Sequence, residues 1–176
     1  MEGMEGASPA RERGNTPMTL ERTPADSRKK LRIGMLGCGF MGKCHANAFR
    51  KLPYIYSTSF VPHLLVLCGR NAEKLAREAA RYGFEEQTTD WNDVVRDERV
   101  DIFDNCGPDP LHVEPCIEPL KHGKHVLCEK PLAVSVEAAR RMRDAARAAR
   151  GKALCVFNYR FVPAVRLAKD LIESGK

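Results

Sequence analysis

Leu31-Arg32-Ile33-Gly34-Met35-Leu36-Gly37-Cys38-Gly39-Phe40-Met41-Gly42 decides the fold. Leu31, Ile33, Met35 and Leu36 read as a short apolar strand, and a helical stretch follows the last glycine to about Arg50. A bare GxGxxG is a weak signal, but one that leaves a strand and opens a helix is the fingerprint of a dinucleotide-binding turn. The glycines then have separate tasks: Gly37 permits the tight turn, Gly39 lets the backbone approach a pyrophosphate, and Gly42 lets helix and strand pack closely. Phe40 and Met41 belong to the same turn, where a helix N-terminus offers free N–H groups to phosphate. The alternative reading is a glycine turn with no ligand.

Working outward, strand and helix alternate. Val61–Cys68 reads as a strand buried on both faces. Asn71 caps a helix with Leu75, Ala76 and Ala79 inward and the pairs Glu73–Arg77 and Lys74–Glu78 outside. Glu86–Thr89 is extended, and Asp90 caps a brief helix through Val95. Val100–Asn105 is a strand, and Pro108–His122 a helix with Val113, Cys116, Ile117 and Leu120 inward. His125–Cys128 is a strand, Ser135 caps a helix to Arg150, and Ala153–Phe157 is a strand. Pro163 opens a last helix that buries Ala164, Leu167, Ala168 and Leu171. Such alternation predicts a single α/β domain over 29–176, a Rossmann-type doubly wound, mostly parallel sheet with helices on both faces.

Composition narrows the class. The chain has 176 residues, 43% of them apolar, and a net charge of +6, a mild excess that names no nucleic-acid partner. Residues 1–28 are rich in small, polar and charged residues and read as a disordered tail, with a mis-assigned start or an interaction tail as alternatives. No run is long enough for a membrane span, and no apolar leader segment stands at the N-terminus. The seven cysteines are odd in number and form no CxxC, so they read as buried reduced thiols, which suits the cytoplasm. No HxxxH or HxH spacing suggests a metal site.

The tip of the second strand selects the cofactor. An acidic residue there binds the 2′-hydroxyl of NAD, and a nearby Arg accommodates the 2′-phosphate of NADP. Here the sequence is Cys68-Gly69-Arg70-Asn71, with no carboxylate and with Arg70 available, which leans toward NADP. In the alternative, Arg70 is a solvated loop residue and NAD binds by other contacts.

Four segments resemble the Gfo/Idh/MocA oxidoreductases over residues 31–176: Gly37–Gly42 with Lys43-Cys44-His45; Gly107-Pro108-Asp109-Pro110-Leu111-His112; Gly123-Lys124-His125-Val126-Leu127-Cys128-Glu129-Lys130-Pro131-Leu132-Ala133; and Asn158-Tyr159-Arg160-Phe161-Val162-Pro163. The glycine start and the Asn-Tyr-Arg segment look most like the inositol- and anhydrosugar-dehydrogenase side of the family. The resemblance implies that Lys130 approaches the reacting hydroxyl and the nicotinamide ribose, where a cation lowers the hydroxyl's pKa and stabilises developing alkoxide. It implies that Glu129 contacts the cofactor, that Pro108 and His112 lie under the nicotinamide, that Arg160 adds a cofactor contact, and that a cis peptide precedes Pro131.

Two features depart from the pattern. The family often has Thr-Pro-Asn where this chain has Gly107-Pro108-Asp109. The family also continues into a second α/β domain that supplies substrate contacts, a catalytic Asp/His pair and the oligomer interface, whereas this sequence stops at Ser174-Gly175-Lys176. Two expectations follow. One is an NAD(P)-dependent oxidoreductase of a sugar or cyclitol alcohol, with the small substrate engaged only when a second domain is supplied. The other is a truncated, inactive cofactor-binding remnant or regulatory module. The remaining features read plainly. Arg140, Arg143, Arg147 and Arg150 form a solvated helix face, with a nucleic-acid surface as the alternative; Tyr54, Tyr56 and Phe60 lie in a loop before the second strand, as packing residues, with a sugar-side wall as the alternative; and Trp91 packs.

Overall fold

The computed structural model describes residues 27–176. The tail reading of 1–28 therefore lies outside the described residues, except Ser27 and Arg28. Six strands form one sheet: β1 (Lys29–Leu36), β2 (Phe60–Cys68), β3 (Glu86–Thr88), β4 (Ile102–Asn105), β5 (His125–Cys128) and β6 (Ala153–Cys155). All neighbours pair in parallel, in the order β3-β2-β1-β4-β5-β6. The order reverses between β1 and β4, and ligands of open α/β sheets bind in the crevice that such a reversal leaves at the strands' C-terminal ends.

The helices are α1 (Phe40–Ile55), α2 (Ala72–Tyr82), α3 (Trp91–Arg96), α4 (Val113–Lys121), α5 (Val136–Ala148) and α6 (Pro163–Glu173). Ile33, Met35, Leu67, Leu75, Ala79 and Tyr82 make the core under α1 and α2. Leu36, Val66, Val94, Phe103, Ile117, Val126 and Met142 make the core under α3, α4 and α5, with Trp91 packed against it. Ile33 pairs with Leu64 and Gly34 with Val66, so Leu65 is an extra residue in β2. This bulge breaks the strict alternation of faces. Leu65 and Val66 consequently join the same cluster.

The predicted caps form: Asn71 accepts from the Lys74 N–H, Asp90 from Asn92 and Ser135 from Ala138. Other expectations need correction. Helix α1 runs past Arg50 to Ile55, so Tyr54 is helical and 93% exposed, neither loop nor packing. Tyr56 is likewise exposed, and Phe60 opens β2. On α2 the buried residues are Leu75, Glu78, Ala79 and Tyr82, so Glu78 and not Ala76 faces inward, and the Glu78 carboxylate lies against Arg77 and Arg81 rather than Lys74. The helix predicted over Pro108–His122 divides into a 3-10 turn, Asp109–Leu111, and α4. Pro115 has no N–H for the Leu111 carbonyl, and Asn105 Nδ2 donates to that carbonyl instead, at 2.8 Å. The strand predicted to Phe157 ends at Cys155, and a 3-10 turn covers Asn158–Phe161.

The largest correction concerns α6. Ala164, Leu167, Ala168 and Leu171 are all exposed, with Leu167 at 59%. The helical spacing of these residues is correct, but α6 packs chiefly on the 3-10 turn before it, so no described surface covers its apolar face.

Among the described residues no helix is long and apolar enough to cross a membrane. The seven cysteines are all free.

The glycines of the first turn differ in what surrounds them. Gly37 has φ +105°, and a Cβ there would lie 2.5 Å from the Cys106 carbonyl oxygen. A Cβ on Gly42 would collide with the Gly37 carbonyl oxygen, whereas one on Gly39 meets nothing within 4 Å. Gly42→Ala is therefore expected to lower the urea-unfolding free energy by about 1–3 kcal/mol, the usual cost of overpacking, while Gly39→Ala leaves it nearly unchanged.

Candidate dinucleotide site

The crevice is walled by the ends of β1, β4 and β5 and by the N-terminus of α1. Gly37 N–H donates to the Cys68 carbonyl at 2.8 Å, tying the first turn to β2. Gly39 is the N-cap of α1, its side open, and no acidic residue stands in the first turn of that helix. The free N–H groups and partial positive charge of the helix end thus face open space, an arrangement that fits a pyrophosphate. Phe40 is exposed beside it and Met41 half-buried.

At the tip of β2, Gly69 is buried and its N–H donates to the Thr88 carbonyl at 3.2 Å, while Arg70 is exposed. The Thr88 hydroxyl donates to Asp93 Oδ2 at 2.6 Å, which sets that carboxylate near the same tip, and burial first, then the charges of Asp90 and Asp93, push the Cys68 thiol up to about 12.

The end of β4 organises the floor. Asn105 is fully buried; its Oδ1 accepts from the Gly107 N–H at 3.0 Å, and its backbone carbonyl accepts from the Glu129 N–H at 2.9 Å. Pro108 is exposed, but His112 is fully buried, with Nδ1 2.8 Å from the Pro131 carbonyl oxygen and Nε2 3.1 Å from that of Gly107. With both nitrogens on backbone oxygens, His112 ties the 107–112 loop to the Lys130-Pro131 turn. Glu129 is buried and Lys130 exposed, and the peptide between Lys130 and Pro131 is cis, as the resemblance implies. Arg160 is exposed on the 3-10 turn beyond β6.

The least anticipated feature is a buried ionic cluster behind this wall. His45, in the second turn of α1, sets Nδ1 2.9 Å from Asp104 Oδ2 and Nε2 3.0 Å from Glu129 Oε1. Burial pulls the His45 pKa down, but the hydrogen bonds and charges of Asp104 and Glu129 outweigh it and raise the value to about 8. Burial pushes the fully enclosed Asp104 carboxyl up, opposed by its bonds to His45 and Cys106. Burial and then the charges of Asp104 and Glu129 also push the Cys106 thiol up, which leaves it a poor nucleophile. Ligand atoms of His45, Asp104 and Cys106 lie within 4.8 Å of one another. Both His45 nitrogens are already committed to carboxylates, so the arrangement reads as a hydrogen-bonded network. In the sequence, His45 stands in the quoted motif with no role attached, and Asp104 closes a strand with no motif around it. The available signal was Asp104-Asn105, two polar residues closing an apolar strand.

Residues 31–157 match the model of an oxidoreductase family with an NAD-binding Rossmann fold. The chain belongs to the Gfo/Idh/MocA oxidoreductase family. It is similar to the levoglucosan dehydrogenase of Pseudarthrobacter phenanthrenivorans, 38% identical over 84% of this chain and 38% of that protein. It is also similar to the inositol 2-dehydrogenase of Rubrobacter xylanophilus, 32% identical over 84% of this chain and 41% of that one. Among solved structures, levoglucosan dehydrogenase in complex with NADH superposes with a TM-score of 0.80 at 38% identity, over 84% of this chain and 40% of that chain. The scyllo-inositol dehydrogenase of Lactobacillus casei, with bound NAD(H) and scyllo-inositol, superposes at 0.73 and 28% identity, over 84% of this chain and 42% of that one. This chain thus spans about two fifths of the length of the relatives it matches, and what it corresponds to in them is the NAD-binding Rossmann domain of the family.

His45 holds its proton more tightly folded, at about 8, than unfolded, at 6.5. The resulting stabilisation is complete below pH 6.5 and is lost as pH rises through about 8. A rise of that size corresponds to about 2 kcal/mol. Urea unfolding is expected to show this loss between about pH 6 and about pH 9, and His45→Gln is expected to remove it.

Proposed function

We propose that the chain binds NAD or NADP in this crevice and belongs to a protein that transfers hydride between a sugar or cyclitol alcohol and the nicotinamide. The observation that carries the reading is the open side of Gly39 at the α1 N-terminus, beside the strand-order reversal. No protein atom requires a glycine there, whereas a pyrophosphate lying against the backbone does. Gly37 and Gly42 shape the turn, Phe40 and Met41 border it, and Pro108, Glu129 and Arg160 are assigned to the cofactor, with His112 acting through the loop it ties down. The dinucleotide, when bound, supplies the hydride acceptor or donor. Lys130, exposed at the C-terminal end of β5, is assigned to polarise the substrate hydroxyl.

For the 2′ position we infer that Arg70 accommodates a phosphate and that NADPH binds at least as well as NADH. The absence of a carboxylate at Gly69 supports this, while Asp90 and Asp93 act against it. Positioning of donor carbon and nicotinamide accounts for about 7–11 kcal/mol of barrier in such reactions, and it needs a substrate wall as well as a cofactor wall. We infer that this chain alone binds the dinucleotide and oxidises no sugar alcohol at a useful rate. Its reduced thiols suit the cytoplasm.

Fluorescence titration with NADH and NADPH tests the site. Gly39→Val is expected to abolish binding of both without loss of fold, and unaltered binding would falsify the assignment. Arg70→Ala is expected to weaken NADPH by about tenfold or more while sparing NADH, the value of a charge-assisted contact. In an absorbance assay with inositols, aldoses and anhydrosugars we expect no turnover. Robust turnover that vanishes in Lys130→Ala would show that this domain suffices.

A further inference from the structure

Behind the cofactor wall, one imidazole joins the elements that build it. His45 comes from α1, the helix that the glycine turn opens; Asp104 comes from β4; and Glu129 follows β5. Each oxygen of the Glu129 carboxylate has a partner: Oε1 faces His45 Nε2 at 3.0 Å, and Oε2 accepts from the Lys130 N–H at 3.1 Å. Its backbone N–H donates to the Asn105 carbonyl. The Glu129-Lys130 turn is therefore held from two sides, by β4 through the backbone and by α1 through His45. Asp104 is fully buried, Glu129 is 4% exposed and the His45 side chain is 12% exposed. Two carboxylates so enclosed, with one ring between them, are stabilised by a proton held in common with that ring: without it, like charges would face each other in a medium that screens them weakly.

Resting on the dinucleotide reading above, we propose that His45 is a positioning residue: as an imidazolium between Asp104 and Glu129 it locks the Glu129-Lys130 turn in the geometry that receives the cofactor. It touches neither cofactor nor substrate in this role. It acts through Glu129, and its protonation sets whether the wall is formed. The charged groups facing the ring are Asp104 from β4 and Glu129 from the end of β5. The Cys106 thiol, bonded to Asp104 and near Cys44 of α1, is the next titratable group outward. Burial and the surrounding carboxylates hold the Cys106 thiol protonated well above its ordinary range, while burial pushes the Asp104 carboxyl up against the pull of His45, so His45 and Asp104 hold the cluster's proton between them. Loss of this proton at alkaline pH makes the cluster more negative by one charge beside the seat of an anionic ligand, so affinity falls as pH rises.

The test is the pH dependence of NADH affinity in the full chain, read by fluorescence, together with the His45 titration midpoint read by NMR of the ring. We expect wild-type affinity to fall about tenfold between about pH 7 and about pH 9, with the midpoint at the NMR value. We expect His45→Gln to bind about tenfold more weakly at pH 7 and to show no such fall. If the wild-type profile persists in His45→Gln, or if its midpoint departs from that of the ring, the positioning role is overturned while the cofactor site stands. If wild type binds no NADH at any pH, the dinucleotide reading falls and takes this proposal with it. Should His45→Gln fail to fold, the coincidence of the two wild-type midpoints decides alone.

Discussion

The approach of α1 to the end of β1 is the constraint on which the rest of the structure depends. Gly42 sits against the Gly37 carbonyl with no room for a Cβ, and Gly37 adopts a left-handed φ hard against the Cys106 backbone. Closeness there aims the helix N-terminus into the crevice between β1 and β4. It also brings the second turn of the helix over the ends of β4 and β5, where His45 meets its carboxylates. A wider turn would lose the proposed anion site and the ionic cluster together, because one rigid helix carries both.

The end of β4 complements that constraint. Asn105 and Asp104 are polar residues in a fully buried position, costly unless satisfied. Each is satisfied by a different part of the wall: Asn105 by the 107–112 loop and, at its carbonyl, by Glu129; Asp104 by His45 and Cys106. His112 adds a second tie from that loop to Pro131. The same hydrogen bonds that remove the desolvation cost also fix the loops that face the crevice, so stability and preorganisation of the site have a common origin. Lys124 plays a comparable part at the opposite end of the sheet, where its buried Nζ donates to the Asp97 and Val100 carbonyls at 2.6 and 3.0 Å.

An exposed apolar face marks the other extreme. Phe161, Leu167 and Ile172 are all more than half exposed. The amphipathic pattern of α6 is as regular as those of α2 and α5. A pattern specifies which residues share a face, whereas burial requires an opposing surface.

The sequence by itself determined the alternation of strands and helices, the parallel sheet, the three caps, and the family, because each rests on local chemistry: period, capping side chains, and glycines whose spacing follows from turn geometry. It also singled out Glu129, Lys130 and the Gly37–Gly42 turn, which the structure sets at the C-terminal edge of the sheet and the head of α1. Tertiary structure alone decided the rest. The bulge at Leu65, the inward place of Glu78 and the exposure of Tyr54 depend on how neighbouring elements meet. The split of the Pro108–His122 helix depends on an asparagine arriving from β4. The joining of His45, Asp104 and Glu129, far apart in the chain, needs the strand-order reversal that sets α1 over β4 and β5, a long-range placement that no local pattern encodes.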